Sequence, residues 1–408
     1  MSFKIGQSTG GTHINEDLMF MNANNDFVGG YDNTTVPTNE TKITASDGAA
    51  NDQFGYSVAV GSGRIVVGAP LDDAPGSNSG SAYIFDLDGT QIAKISSRVA
   101  AGDEFGYSMA VGSGRIVVGA PGDDDSGGQS GSAHIFDLDG NQIAKITASD
   151  GAAFDYFGWS VAVGSGRIVV GARFDDDAGS NSGSAYIFDL DGNQIAKISS
   201  RVAAGSRFGQ SVAVGSGRIV VGAWLDDGRR PSSGSAHIFD LDGNQIAKIT
   251  ARDGAADDFF GYSVAVGSGR IVVGAYGDDD AGSVSGSAYI FDLDGNQIAK
   301  ISSRGGAGSR FGWSVAVGSG GIVVGAWSND GAGAQSGSAH IFDLDGNQIA
   351  KITASDSATN DQFGWSVAVG SGRIVVGARF DDDAGSSSGS AYTYTTPTTE
   401  HILDILDY

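Results

Sequence analysis

Phe-Gly, one further residue and then Ser-(Val or Met)-Ala-Val recur at Phe54, Phe105, Phe157, Phe208, Phe260, Phe311 and Phe363, with steps of 51 and 52 residues in alternation. Each unit keeps one order of parts: Ser-Val-Ala-Val, Gly-Ser-Gly, Arg-Ile-Val-Val-Gly-Ala, an Asp/Gly/Ser-rich stretch, Gly-Ser-Ala-(Tyr/His)-Ile-Phe, Asp-Leu-Asp-Gly and Asn-Gln-Ile-Ala-Lys-Ile. Short runs rich in Val, Ile, Phe and Tyr, each bounded by turn residues, read as strands, four to a unit. Ile-Val-Val has no polar alternation, so both faces of its sheet must be covered, as they are when blades stack. Small residues in Ser-Val-Ala-Val suit an innermost strand, where blades converge. The pattern predicts an all-β, seven-bladed β-propeller of four-stranded antiparallel blades.

The ends of the chain bear on closure. The seventh unit stops at Ser-Ala-Tyr-Thr-Tyr and lacks a fourth strand, while Asn39 to Thr44, upstream of the first Phe-Gly, align with Asn-Gln-Ile-Ala-Lys-Ile-Thr. Residues 39–44 are therefore expected to complete the last blade, which removes open sheet edges. This divides the chain into an N-terminal arm or anchor (1–38), a propeller (39–395) and a C-terminal tail (396–408). A second period overlies the first: the residue after Gly-Ser-Ala alternates Tyr83, His134, Tyr186, His237, Tyr289, His340, Tyr392, which implies growth by duplication of a two-blade unit.

Composition narrows the partners. Lys and Arg number 24 against 48 Asp and Glu, for a net charge of −24, so nucleic-acid phosphate and anionic lipid are repelled. Cysteine is absent, which removes disulfides, thiolate nucleophiles and Cys-ligated zinc. Neither a basic segment leading an apolar core nor a run of 18 apolar residues occurs, so neither an ordinary export signal nor membrane insertion is expected.

Phe54-Gly55 with Gly68-Ala69-Pro70, and Phe105-Gly106 with Gly119-Ala120-Pro121, resemble the FG-GAP repeat family, seen in the head propeller of integrin α subunits and in many bacterial repeat proteins. The form here is similar to the short bacterial variant. The resemblance implies a seven-bladed adhesion or ligand-binding propeller that is not an enzyme. The integrin calcium loop lies between the first two strands, where this chain has only Gly61-Ser62-Gly63 and its equivalents, so that site does not carry over.

Several residue sets could carry chemistry. Acidic loops between strands two and three include Asp123, Asp124, Asp125; Asp175, Asp176, Asp177; Asp278, Asp279, Asp280; and Asp381, Asp382, Asp383. Clustered carboxylates with flexible glycines suit Ca²⁺, although Asp and Gly also form turns without any metal. Six Asp-Leu-Asp-Gly segments read as type I′ hairpin turns. His134, His237 and His340 sit two blades apart and cannot meet on one ion. Aromatic rings near the loop face, among them Trp159, Trp224, Trp313, Trp327 and Trp365, could hold a sugar or a cation, or could pack blade on blade. Arg229 and Arg230 in the divergent fourth blade add a basic bump.

No catalytic motif is present: no serine nucleophile with a nearby histidine, no zinc-protease motif and no phosphate-binding loop. The expected function is a non-catalytic adhesion or binding propeller, extracellular or on a virion or appendage surface. It would recognise glycan or protein through one face, with Ca²⁺ as the candidate cofactor. The alternatives are a structural decoration protein attached to a larger assembly through residues 1–38 and 396–408, and a glycan-active hydrolase.

Overall fold

The computed structural model describes residues 39–73, 76–96, 100–199, 203–228, 230–303 and 306–396, with two short paired strands, Met19–Met21 and Phe27–Gly30, nearer the N-terminus. The rest of the expected arm and the tail from residue 397 lie outside the described residues. From residue 41 onward the chain forms seven four-stranded antiparallel sheets. Blade one shows the plan: Ser57–Gly61 innermost, then Arg64–Ala69, Ser81–Phe85 and Gln91–Ile95 at the rim. Innermost strands of successive blades touch all round, and Ser366–Gly370 of the seventh blade returns to Ser57–Gly61. The seventh blade takes Thr41–Ile43 as its rim strand, with Lys42 opposite Tyr392. A seven-bladed propeller closed by its own N-terminal strand is the result.

Strand periodicity explains why the repeat is so apolar. Ile65, Val67 and Ala69 leave one face of blade one to meet Val375 and Ala391 of blade seven, while Val66 leaves the other to meet Phe105, Ile116 and Val118 of blade two. Seven such clusters fill the seven seams, so each middle strand is interior on both sides. Each fully buried Val, Ile or Phe contributes about 1.5–3 kcal/mol. At the rim Ile92, Ile143, Ile195, Ile246 and Ile298 stand exposed, and so does Phe154 in the connection into blade three.

The two glycines that mark each unit face each other across a seam. Gly106 of blade two has φ +92°, and a Cβ there would lie 2.4 Å from the Ser81 carbonyl oxygen; a Cβ on Gly68 of blade one would lie 2.1 Å from the Gly106 oxygen. Backbone meets backbone at this point, and only glycine fits both positions. The Ser57 hydroxyl donates to the Gly106 carbonyl at 2.7 Å, and Phe105 N donates to Ser79 O at 2.9 Å, stitching the blades.

The turns at the opposite end differ in kind. Ser62 and Gly63 both have positive φ, 49° and 76°, so the type I′ turn falls at Gly-Ser-Gly, in two residues that leave no room for a metal loop. Asp-Leu-Asp-Gly does form hairpins, but not of type I′. In Asp86-Leu87-Asp88-Gly89 the Gly89 N–H donates to Asp86 O, and Gly89 alone has positive φ, which makes a type I turn with a glycine bulge. The Asp86 carboxylate accepts from the Asp88 and Thr90 N–H groups, which fixes the loop and holds its pKa down.

Arginine ties each of these hairpins to the preceding blade. Arg64 donates to Leu138 O at 3.0 Å and pairs with Asp139 at 3.3 Å, and Arg115, Arg167, Arg218, Arg270 and Arg373 repeat the contact. The sixth blade has Gly321 in that place. Its neighbour, blade seven, takes its rim strand from the N-terminus and has no such hairpin. The arginine is missing where its acceptor is missing.

Candidate binding face

Inner strands begin, and the acidic loops lie, at one end of the ring; Gly-Ser-Gly and Asp-Leu-Asp-Gly lie at the other. In blade three, buried Asp175 accepts from the Asp177 N–H at 3.0 Å, from the Tyr186 hydroxyl at 2.8 Å and from Lys197 Nζ at 2.9 Å. Asp176 accepts from the Asn181 N–H at 2.6 Å and closes the loop. Lys197 also pairs with Asp177 and, at 2.8 Å, with Asp150 from the preceding connection. Burial alone would lower the Lys197 pKa, but the three carboxylates raise it well above the ordinary lysine value.

The other loops follow this plan. Lys300 pairs with Asp253, Asp278 and Asp280 at 2.6–2.8 Å, and Lys145 with Asp123 and Asp125 at 2.6 and 2.5 Å. Asp124 and Asp382 accept from the N–H groups of Gln129 and Ser387, and the Asp279 carbonyl accepts from Gly282 N–H. Asp356, Asp381 and Asp383 could group around a metal, yet Lys42 Nζ contacts all three. So the residues expected to hold Ca²⁺ do not fit the ion as they are arranged. In six blades the rim-strand lysine supplies the positive charge among the loop aspartates, a role that was not read from the sequence, whereas Lys351 of blade six bonds to Asn329 at 3.0 Å.

This geometry accounts for the two-blade period. The hydroxyls of Tyr83, Tyr186, Tyr289 and Tyr392 each lie within hydrogen-bond distance of the first loop aspartate and of Asp47, Asp150, Asp253 or Asp356 of the incoming connection, between which the one proton is shared. Even-numbered blades lack the connection aspartate and carry histidine. In blade two the Ser132 hydroxyl donates to Asp123, so His134 Nε2–H donates to Ser132 Oγ at 3.1 Å, and Nδ1 accepts from Gln142. Burial pushes His134, His237 and His340 down to about 4. They are core side chains, one per blade, and do not converge.

Around the axis the structure gathers the aromatic residues. The residue after Phe-Gly forms a chain of ring contacts: Trp159 to Tyr107 at 4.5 Å, Tyr107 to Tyr56 at 4.9 Å, Tyr56 to Trp365 at 5.8 Å, Trp365 to Trp313 at 4.7 Å and Trp313 to Tyr262 at 4.6 Å. Gln210 stands in the remaining gap and accepts from Arg173 Nη1 at 3.0 Å. The residue after Gly-Ala forms a second tier. Trp224 packs on Tyr262, Tyr276 on Tyr262 and Trp313, and Trp327 on Trp313 and Trp365. Arg173 and Arg379 occupy the same tier and lie over Trp159 and Trp365 at 3.2 and 3.3 Å.

Of the expected ligand residues, Trp159, Trp224, Trp313, Trp327 and Trp365 thus share one collar, made by inter-blade contact around the axis. Arg229 lies outside the described residues, and Arg230 is exposed in its loop, where its carbonyl accepts from Ser233 N–H. Arg173 and Arg379, which stand where the first two copies have Pro70 and Pro121, were not among the expected ligand residues. Their variation from copy to copy was the available signal.

The carboxyls raised furthest, Asp103 and Asp155 at about 6, are buried and accept from the Ala100 and Ala152 N–H groups. They are loop caps and do not form an acid and base pair across a cleft. A polar cleft of about 280 Å³ lies at the closing seam between Thr41, Leu87, Arg373 and Thr393, and contains none of the expected site residues. Among the described residues no helix is long and apolar enough to cross a membrane.

A search of curated proteins finds no match to this chain. The profile of the FG-GAP repeat matches it seven times, over residues 37–85, 90–136, 141–188, 193–239, 244–291, 296–342 and 347–394. Each match spans the last strand of one blade and the first three of the next, as closure by residues 41–43 requires. The chain belongs to the FG-GAP repeat family.

Proposed function

We propose that this protein is a non-catalytic binding propeller, acting outside the cell or on a virion or appendage surface, which engages its ligand through the collar face. One observation carries the reading. The blades are near copies, with Ile-Val-Val-Gly-Ala in all seven, yet the positions flanking Phe-Gly and following Gly-Ala differ from copy to copy. Those positions read Pro70, Pro121, Arg173, Trp224, Tyr276, Trp327 and Arg379 after Gly-Ala, and they come together at one end of the axis. Rings and guanidiniums gathered in this way are the residue types that anchor interfaces.

The test compares the full chain with Trp313→Ala/Trp365→Ala on a glycan array and on whole cells. Asp139→Asn/Asp242→Asn, at the far end of the ring, serves as control. The collar variant, folded by circular dichroism, loses the signal and the control keeps it. Equal binding by both would replace this reading with a structural ring attached through residues 1–38 and 396–408.

A further inference from the structure

Two groups of cations stand out among the described residues. Lys42, Lys94, Lys145, Lys197, Lys248 and Lys300, and the six strand-two arginines, all pair with aspartate. Arg173, Arg207, Arg310 and Arg379 pair with no carboxylate among the described residues; each lies on an aromatic ring instead. All four flank the axis on the collar face. Among the described residues the acceptors they find there are side-chain amides: Gln210 for Arg173 and Gln362 for Arg379, both at 3.0 Å.

Beside them lies a surplus of donors. Arg173 Nε, Arg207 Nε, Trp224 Nε1 and Trp327 Nε1 are buried without a hydrogen-bond partner. Burial also lowers Arg173 and Arg379 to about 10, the direction expected of guanidiniums without a counter-ion. A buried donor without an acceptor is costly, and a bound acceptor would recover that cost. The aromatic faces already hold guanidinium, so the collar is not arranged for a cationic guest.

The collar's surroundings limit what anion it can take. Exposed Asp176 and Asp382, three residues after Arg173 and Arg379, pair with no lysine among the described residues, and each accepts one backbone N–H. With a net charge of −24, this border repels a polyanion and accepts hydrogen bonds from hydroxyls. A single carboxylate set among hydroxyl groups matches a donor centre with an acceptor border. We infer that the collar face binds a sugar acid, one ring carrying one carboxylate and several hydroxyls, at the end of a glycan chain. Arg173 or Arg379 would take the carboxylate, and Asp176 or Asp382 beside it the hydroxyls. This rests on the collar being the binding face.

The experiment measures binding of the full chain to immobilised oligosaccharides ending in glucuronic acid or in N-acetylneuraminic acid, each beside its carboxyl-reduced counterpart. The expected result is retention of at least one acidic form, with loss of about tenfold or more on carboxyl reduction and a similar loss in Arg173→Gln/Arg379→Gln. Arg173→Lys/Arg379→Lys, which keeps the charge but loses the planar fork, falls between. Arg115→Gln, at the opposite end, changes nothing.

Equal binding of reduced and acidic forms that Trp313→Ala/Trp365→Ala abolishes would overturn the sugar-acid assignment and leave the binding face standing. So would capture of an acidic peptide but no sugar acid. Binding indifferent to every collar variant would overturn both.

Discussion

Replacing Lys197 by methionine tests whether lysine is the resident cation of the acidic loops. The side chain of Asp175 is 4% exposed, so losing its ammonium leaves a buried carboxylate short of a counter-charge. Breaking a buried pair costs about 3–5 kcal/mol. Part of that is recovered here: the Tyr186 hydroxyl and the Asp177 N–H still reach Asp175, and Asp150 and Asp177 are 43% and 61% exposed and can rehydrate. A net loss of about 2–3 kcal/mol follows. The same substitution empties the centre of three carboxylates and creates an oxygen site for Ca²⁺. If the ion binds only the folded state, a concentration of 100 Kd restores about 2.7 kcal/mol.

Urea unfolding of wild type and Lys197→Met, each in EDTA and in millimolar CaCl₂, gives all four values. Wild type should unfold at the same midpoint in both buffers, whereas the variant should be destabilised in EDTA and rescued by Ca²⁺. A wild-type midpoint that rises with Ca²⁺ would refute the argument, because the ion would then bind with the lysine in place. A variant as stable as wild type in EDTA would refute it equally.

Three further outcomes are expected. Gly55→Ala places a methyl 2.2 Å from the Ser390 carbonyl oxygen at φ +87°, so the seam between blades seven and one should lose several kcal/mol, seen as a lowered thermal midpoint. His340, at about 4 in the fold against 6.5 unfolded, contributes stability that is full above pH 6.5 and lost as the pH falls to 4, a loss of about 3 kcal/mol. His340→Gln should flatten that window in pH-dependent urea melts, while Asp103 and Asp155, raised to about 6, act in the opposite sense between pH 3.8 and 6. Removing residues 1–44 strips Lys42 and Ile43 from the Tyr392 strand and should drive self-association by light scattering, whereas removing residues 1–38 should not.

The ring was legible in the repeat alone. Seven identical strand cycles with apolar middle strands can bury both faces only by stacking, and a missing last strand beside a spare first one dictates closure. The repeat also exposed the two-blade alternation, though not the cause. Whether an aspartate binds a metal, a lysine or its own backbone depends on what stands several ångströms away, and Lys197 is 20 residues along the chain from Asp177 and 47 from Asp150. The turn type at Asp-Leu-Asp-Gly likewise depended on strand register, which sets how many residues bridge the gap. The collar is the clearest case. Trp159, Trp365, Arg173 and Arg379 come from blades three and seven, and only the curvature of the closed ring brings blades so far apart in the chain to one axis.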